Sequence, residues 1–356
     1  MNQFSLEGIL REATVLVSYA DVVCTRERPL NDLVARLRAD TDGVDSMSSY
    51  VRLPIIFDNT REEVNFHALL SLLRFGTGYD PLLLEHVARD ARECAQFGLL
   101  GFHLGGKKID TNVMCNYGAL HVLDMMGVDG KQDREIAPGV YAQEPGPLAG
   151  YVERIVRVLN RTGAQLRGLE KGDLGEFVLD YIDQTDRPTA AGLVDHLITL
   201  TGFGDDRDEP CKGVEVSFHS KAQELAVELY LRFRQENPKF DFPDADLLVG
   251  HIDNHIPAVL TKLGVIAIGP TWGWLETRIA EGEALDTTPV EPGTVQNGGA
   301  GASILRAAAM VIIDTLSKRC EGLRPWQAAR WLADLPKKDE TLTDLKKFLV
   351  QDTTSF

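Results

Sequence analysis

Apolar residues recur at positions i, i+3, i+4 and i+7 along most of the chain, which is the period of an amphipathic helix. Segments with this pattern cover residues 64–75, 80–97, 146–163, 174–182, 189–202, 220–235, 302–320 and 341–350. Gly163 and Gly202 stand where the C-caps of two of these helices are expected. Only residues 214–218 and 264–269 resemble strands, and both could equally be core helix or loop. The pattern therefore predicts a mainly α fold with at most a few short strands.

Three glycine-rich or highly charged stretches interrupt the helical pattern, at residues 105–118, 204–213 and 287–302. Such composition is typical of loops, and the last stretch is long enough for a surface excursion or a mobile lid. Prolines gather near residue 140, but no sharp change in composition separates two domains. We therefore predict one domain over residues 1–356, divisible into lobes at 1–140 and 141–320, with a C-terminal helical extension at 321–356.

The chain carries a formal net charge of −16 and has a pI near 5.0, so its surface repels phosphate backbones. Extended nucleic acid is not an expected partner, whereas a small phosphorylated ligand needs only a local cationic pocket. The five cysteines form no CxxC pair, which argues against a zinc cage and fits a reducing compartment. No signal peptide and no apolar run of membrane-spanning length are recognised. These features predict a cytoplasmic protein without a membrane partner.

The sequence contains no Walker P-loop, no GxSxG nucleophile elbow and no HExxH zinc motif. The stretch RFGTGYD, residues 74–80, has two glycines spaced like part of a phosphate loop, but it follows a helix pattern rather than a strand. Its simpler interpretation is a helix end followed by a glycine turn. Alternatively, Phe75 and Tyr79 flank the turn and form a stacking wall for a flat ligand.

The stretch HIDNHIPAVLTKLGVI, residues 251–266, places Asp253 just before a helix that is marked by Pro257 and an apolar stripe. One interpretation is that a polar side chain here caps the helix. The other is catalysis, because a carboxylate at a helix N-terminus is stabilised as the anion. An anion in a partly dry cleft suits a reaction that develops a cation, such as the oxocarbenium of glycosidic cleavage.

Two cations in predicted helices also have two interpretations each. Lys221 lies in a helix's first turn, which is unfavourable for the helix dipole, so either it is solvent-exposed or it binds an anion such as phosphate. Arg306 lies among apolar and small residues, where it either pairs with an internal carboxylate or reaches a ligand anion. His67, on the apolar face of its helix, is interpreted as a core histidine.

Six blocks of the sequence together resemble a known protein family. The blocks are residues 62–80, 138–163, 173–182, 220–233, 253–266 and 304–310. In this order they resemble the queuosine salvage proteins, and the closest likeness is to the fungal-type members. The resemblance implies a hydrolase that cleaves the N-glycosidic bond of queuosine 5′-monophosphate and releases queuine for tRNA modification. It also implies a multi-helix fold similar to helix-hairpin-helix DNA glycosylases.

The resemblance further implies roles for particular residues. Those DNA glycosylases carry their catalytic aspartate in a segment that reads roughly V-D-x-H-I, and residues 252–256 of this chain read I-D-N-H-I. Asp253 is therefore the predicted catalytic carboxylate, and no metal or organic cofactor is expected. The predicted substrate-binding residues are Phe75, Tyr79, Lys221, Asn254, His255 and Arg306. This chain departs from many relatives at Asn254 and His255, where they carry tyrosine and arginine.

Two other functions are considered. A helix-hairpin-helix nucleic-acid base glycosylase usually shows an LPGVGxKTA-like hairpin and a basic face, and this acidic chain has neither. A non-catalytic deazapurine-binding protein would need the pocket but not Asp253. The expected partner is a small nucleotide, and the sequence predicts no oligomeric state.

Overall fold

The computed structural model describes residues 5–19, 26–50, 55–204, 207–211, 214–285 and 298–356. The helices are α1 Leu6–Tyr19, α2 Glu27–Ala39, α3 Thr41–Ser46, α4 Thr60–Leu72, α5 Asp80–Val87, α6 Ala91–Leu104, α7 Thr111–Cys115, α8 Ala119–Met126, α9 Ala149–Gly168, α10 Leu174–Gln184, α11 Ala190–Leu197, α12 Thr201–Gly204, α13 Ser220–Phe233, α14 His255–Lys262, α15 Gly273–Glu281, α16 Gly298–Arg319 and α17 Pro325–Lys338. The strands are β1 Lys131–Ala137, β2 Val140–Pro145, β3 Arg207–Cys211 and β4 Val214–Ser217. The predicted mainly α fold is confirmed.

Helices α13 and α16 form the centre of the core. Helix α13 is buried nearly all round and packs against α4 and α11. Helix α16 packs against α1, α14 and α17, and the run Ala307, Ala308 and Ala309 lets these neighbours approach closely. The segment Gly299–Arg319 is apolar and long enough to cross a membrane, but 78% of its most apolar window is buried inside the protein. A helix that is hydrophobic all round is expected at such a central position.

The described strands form two small antiparallel hairpins, β1–β2 and β3–β4. Strand β4 coincides with the strand-like residues 214–218, whereas residues 264–269 form no named strand. The β1–β2 hairpin was not predicted, and two of the three prolines near residue 140, Pro138 and Pro145, lie in it. Both of its strands are largely exposed, so they lack the alternation of apolar and polar residues that reveals a half-buried strand.

Several predicted helix ends are wrong. Gly163 is not a C-cap but lies inside α9, where a Cβ atom would come within 2.7 Å of Met114 Cβ on α7. Gly202 lies within the short α12 rather than at the end of a longer helix. The segment 80–97 contains two helices, because Ala88 adopts a left-handed conformation and Asp90 begins α6 with a capping box.

The predicted loops contain some regular structure. Residues 105–118 include α7, and residues 204–213 include β3. Of the predicted lid at 287–302, residues 298–302 belong to α16 and the remainder lies outside the described residues.

The segment 341–350, predicted as a helix, contains no α-helix. Residues 343–356, which we call the C-terminal tail, run instead across the protein in irregular conformation. The Leu285 N–H donates to the Leu349 carbonyl at 2.6 Å, and the Gly76 N–H donates to the Phe356 carbonyl at 2.9 Å. Phe348 and Phe356 are buried. These distant partners replace the helical hydrogen bonds and bring the tail to the turn after α4.

Candidate active site

Asp253 lies in the connection that precedes α14. Its Oδ1 accepts a hydrogen bond from the backbone N–H of His255 at 2.7 Å, in an Asx-type turn. Its Oδ2 lies 3.9 Å from Nε2 of His251, and the side chain remains 23% exposed. The carboxylate therefore supports the start of the helix through one oxygen and still presents part of its surface to solvent.

Helix α13 holds the first part of this connection through two adjacent polar side chains. Gln223 Oε1 accepts from the Val249 N–H at 2.8 Å, and Glu224 Oε2 accepts from the His251 N–H at 3.2 Å. Gly250 between them has a φ of +85°, and a Cβ atom there would lie 3.1 Å from Glu224 Oε2. Only glycine fits this position without strain, so the backbone is held close to the Glu224 carboxylate.

The second part of the connection is held from α16 and from the C-terminal tail. The Arg306 Nε donates to the Ile252 carbonyl at 2.8 Å. The Asn254 Nδ2 donates to the Phe348 carbonyl at 2.8 Å. The residues on either side of Asp253 are thus held by buried hydrogen bonds, which restrict the backbone from which its carboxylate extends.

A group of charged side chains lies behind this connection. Glu224 Oε1 is 2.7 Å from Arg74 Nη1 and 3.4 Å from Arg330 Nη2. Arg330 also contacts Glu228 at 2.5 Å. Burial alone would raise the pKa of Glu224, but the charges of Arg74 and Arg330 hold it well below its ordinary value. Glu224 is therefore an anion on α13 that links the turn after α4 and helix α17 to the backbone of His251.

The carboxylate of Asp253 is also held as an anion. Burial raises its pKa, but His251, His255 and the hydrogen bond from the His255 N–H together lower it below 3.8. Burial and the charge of Arg74 lower the pKa of His251 to about 4. Since His251 is neutral at pH 7, the contributions to Asp253 that persist there include the His255 N–H and the Lys347 charge. An anion in a largely dry site can stabilise a developing cation.

Asp80, at the start of α5, is a second carboxyl group within electrostatic range of Asp253. Its Oδ1 accepts from the Ala91 N–H at 3.0 Å, and its Oδ2 lies 3.7 Å from Lys347 Nζ. Burial raises the pKa of Asp80 to about 7, and the charges of Asp90 and Asp253 act in the same direction. Near neutral pH the two carboxyl groups therefore differ in protonation.

The Asp80→Asn variant should gain stability relative to wild type as pH rises. The pKa of Asp80 is about 7 in the folded protein, against an ordinary value of 3.8 in the unfolded chain, so the folded state loses stability between about pH 4 and 7. Asparagine does not titrate and still accepts from Ala91. The difference in free energy of unfolding should grow by up to roughly 4 kcal/mol across this range, as measured by urea unfolding. Asp344→Asn, which removes an 82% exposed carboxylate from the tail, is the control. A pH-independent difference for Asp80→Asn would contradict the assignment.

The aromatic residues of the glycine turn lie together but are covered. The rings of Phe75 and Tyr79 lie 6.4 and 5.5 Å from the Tyr151 ring, centroid to centroid. Both are buried, and the Tyr79 hydroxyl accepts from Arg154 at 3.1 Å. The turn is therefore an aromatic cluster whose stacking faces point into the protein.

The two cations predicted to bind an anion are fully buried. Lys221 and Arg306 are both 0% exposed. The Lys221 Nζ donates to the Thr354 carbonyl at 2.8 Å. The Arg306 guanidinium lies between the rings of Phe218 and Phe356, at 4.1 and 4.5 Å. Both side chains thus hold the C-terminal tail against the core.

The remaining predicted site residues flank Asp253. Asn254 is buried, and the His255 ring nitrogen Nε2 lies 3.2 Å from the Ala333 carbonyl on α17. Sequence reasoning overlooked Glu224 and Arg74, although a glutamate within the buried helix SKAQELAVELYLRF was a usable signal. Lys347 was also overlooked, because it comes near Asp80 only through the path that the C-terminal tail takes across the protein.

A cavity of about 490 Å³ lies elsewhere, between α4, α6 and α7. Its walls include Asn65, Phe66, His103 and Lys108, and none of the predicted site residues. Lys108 is paired there with Glu62 at 3.1 Å. This cavity is therefore separate from the Asp253 site.

Comparison with known proteins places the chain in a family. The sequence model of the family described as queuosine salvage protein matches residues 140–326, which include Lys221, Asp253, Asn254, His255 and Arg306. Phe75 and Tyr79 lie before the matched region. No curated protein matches the chain. Since the match covers more than half of the sequence, the chain belongs to the queuosine salvage protein family.

Proposed function

We propose that the protein is an N-glycosyl hydrolase that cleaves queuosine 5′-monophosphate and releases queuine. The observation that carries this proposal is the state of Asp253, an anionic carboxylate that is 23% exposed and whose neighbours on both sides are fixed. Family membership supports a role in queuosine salvage. Cys94, Cys115 and Cys320 are free thiols. Free thiols are usual in proteins of a reducing compartment, so they fit a salvage reaction in the cytoplasm.

In the proposed mechanism, Asp253 stabilises the positive charge that develops on the ribose as the N-glycosidic bond breaks. One of its oxygens is engaged by the His255 N–H, which leaves the other for the ribosyl cation or for a water molecule. Acting on water, the carboxylate would serve as a general base. The leaving deazapurine must gain a proton, and Asp80 is a carboxyl group nearby that is partly protonated near pH 7.

The proposed ligand contacts follow the predicted residues. The deazapurine would lie near Phe75 and Tyr79, which would have to be uncovered because both rings are buried. Asn254 and His255 adjoin Asp253 and would border the sugar. Lys221 and Arg306, the residues predicted to contact phosphate, would reach it only if the tail moved away from them.

Multiple-turnover release of queuine tests the proposed function. The purified protein is incubated with an excess of queuosine 5′-monophosphate, and the products are separated by chromatography. We expect free queuine and ribose 5-phosphate in equal amounts, with guanosine 5′-monophosphate as the control nucleotide. Tight binding without release would instead indicate a deazapurine carrier. A shift of duplex DNA in a gel at low salt would favour a nucleic-acid glycosylase, which the net charge of −16 opposes.

A further inference from the structure

His251 is a buried histidine whose ring makes no hydrogen bond in the part of the chain that the structure describes. Its side chain is 3% exposed, and its Nδ1 has no partner among the described residues. Its Nε2 lies 3.9 Å from Oδ2 of Asp253, which is beyond hydrogen-bond distance. Buried polar groups in folded proteins nearly always have partners. An unpaired imidazole beside the candidate catalytic carboxylate therefore points to a role in binding or in the reaction.

The ring of His251 is held in this place through its backbone rather than through its nitrogens. The His251 N–H donates to Oε2 of Glu224 at 3.2 Å. Gly250, just before it, has a φ of +85° and passes close to the same carboxylate. The Ile252 carbonyl, just after it, accepts from Nε of Arg306 at 2.8 Å. These contacts restrict the backbone from which the imidazole extends.

A single oxygen atom can bond both His251 and Asp253. An oxygen placed about 2.8–2.9 Å from both Nε2 and Oδ2 would meet them at roughly a right angle, which the broad angular range of hydrogen bonds at oxygen permits. Oδ2 is available for this contact, because it is Oδ1 that accepts from the His255 N–H at 2.7 Å. The Asp253 side chain is 23% exposed, so the carboxylate is not sealed from solvent.

The charges of the two side chains suit such a shared oxygen. Burial and the charge of Arg74 lower the pKa of His251 to about 4, so its ring is neutral at pH 7. The pKa of Asp253 lies below 3.8, so this side chain is an anion at the same pH. A neutral imidazole carries one N–H, and a carboxylate near Nε2 favours the proton on that nitrogen. His251 would then donate to the oxygen, and Asp253 would accept from it.

We propose that His251 and Asp253 together hold the water molecule that attacks C1′ of the ribose. This inference rests on the proposed function. The water accepts a hydrogen bond from Nε2 of His251 and donates one to Oδ2 of Asp253, which leaves a lone pair for the sugar carbon. As the C1′–O bond forms, that proton passes to Oδ2. The electron pair of the breaking glycosidic bond goes to the base, which gains a proton from solvent or from Asp80, and Asp253 later releases its proton to solvent.

Three replacements of His251 separate the effect of Nε2 from that of the ring shape. His251→Phe keeps a flat ring but removes Nε2, so kcat for queuine release should fall about tenfold or more, as expected for a lost hydrogen bond to the reacting water. KM should change little. His251→Gln places an amide N–H near the position of Nε2 and should recover part of the rate, whereas the shorter His251→Asn should not. The melting temperature of His251→Phe should not fall, because its ring has no hydrogen bond to a described residue to lose.

The product formed from the sugar tests whether His251 acts on water. In buffer that contains methanol, wild type should form mainly ribose 5-phosphate. His251→Phe should form a larger share of the methyl riboside 5-phosphate, because water is no longer held in preference to methanol. His67→Phe is the matched control, since His67 is also buried but its Nε2 lies 3.1 Å from the Tyr50 hydroxyl. This control should lose stability and keep the wild-type product ratio.

An unchanged kcat or an unchanged product ratio in His251→Phe would overturn the proposal. So would a loss of rate that disappears with the 2′-deoxyribonucleotide, since the shared oxygen would then be the 2′-hydroxyl of the sugar. A crystal structure of wild type gives a measure that does not depend on activity, because it should show an ordered water within hydrogen-bond distance of Nε2 and Oδ2 that is missing from His251→Phe. If this water is present but wild type releases no queuine, the water site stands and the proposed hydrolase activity fails. If wild type releases queuine without it, the role of His251 is refuted and the proposed hydrolase stands.

Discussion

Replacing Asp253 by Asn should lower the rate of queuine release by about three orders of magnitude or more, because the negative charge that faces the ribosyl cation is lost. The fold should persist. Asparagine still accepts the His255 N–H through its oxygen, and the neighbouring backbone is held by Glu224 and Arg306. Affinity for the substrate should change little, since the proposed contacts to the base and phosphate remain.

The measurement is single-turnover release of queuine, together with calorimetric binding of queuosine 5′-monophosphate to the variant. Asp246→Asn is the matched control. It removes one negative charge from the same part of the chain, and this carboxylate is 65% exposed and paired with Arg324. Turnover in Asp253→Asn within tenfold of wild type would remove Asp253 from the chemistry. Equal losses in both variants would point to net charge instead.

Replacing Glu224 by Gln should cost about 2–4 kcal/mol of stability and also slow base release. The buried carboxylate accepts from Arg74, Arg330 and the His251 N–H. An amide has one oxygen for these donors, and its NH₂ group would face one of them. Removing one partner of a buried ion pair leaves the other charge uncompensated. The His251 backbone would then lose the support that places Asp253.

Glu228→Gln is the matched control for this prediction. Glu228 lies one turn further along α13 and contacts Arg330, but its side chain is 29% exposed. Because solvent screens such a pair, the substitution should cost less than about 1 kcal/mol. Urea unfolding gives both free energies, and base release is measured at a temperature where both variants are folded. Similar losses in the two variants would show that Glu224 has no special position.

The sequence is informative about elements whose signal is local. The recurrence of apolar residues predicted α4, α9, α13 and α16, because each of these helices carries its apolar signal within its own segment of the sequence. Asp253 was singled out from local signals too, since the residues that indicate the start of α14 are its neighbours in sequence, but these signals left capping and catalysis both open. The exposed β1–β2 hairpin lacked such a signal, because neither face is buried.

The supports of the site could not be predicted for a different reason. Arg74, Glu224 and Arg330 come from three separate segments, and their pairing depends on how α4, α13 and α17 pack. The C-terminal tail has helical spacing in its apolar residues, yet hydrogen bonds to distant backbone groups decide its conformation. Lys221 and Arg306 are buried partly because the C-terminal tail packs over them. Since the path of the tail could not be predicted from the sequence, their burial could not be predicted either.

The path of the C-terminal tail has a consequence for how the protein folds. The Gly76 N–H donates a hydrogen bond to the Phe356 carbonyl, and the Asn254 side chain donates one to the Phe348 carbonyl. The site therefore joins segments from nearly the whole length of the chain. Contacts of such long sequence separation close large loops, and the entropy of that closure is offset only when most of the core has formed. Early folding intermediates would contain α4 and α13 but not the completed site. Acquisition of activity during refolding should therefore coincide with the slowest folding phase rather than with the formation of helices.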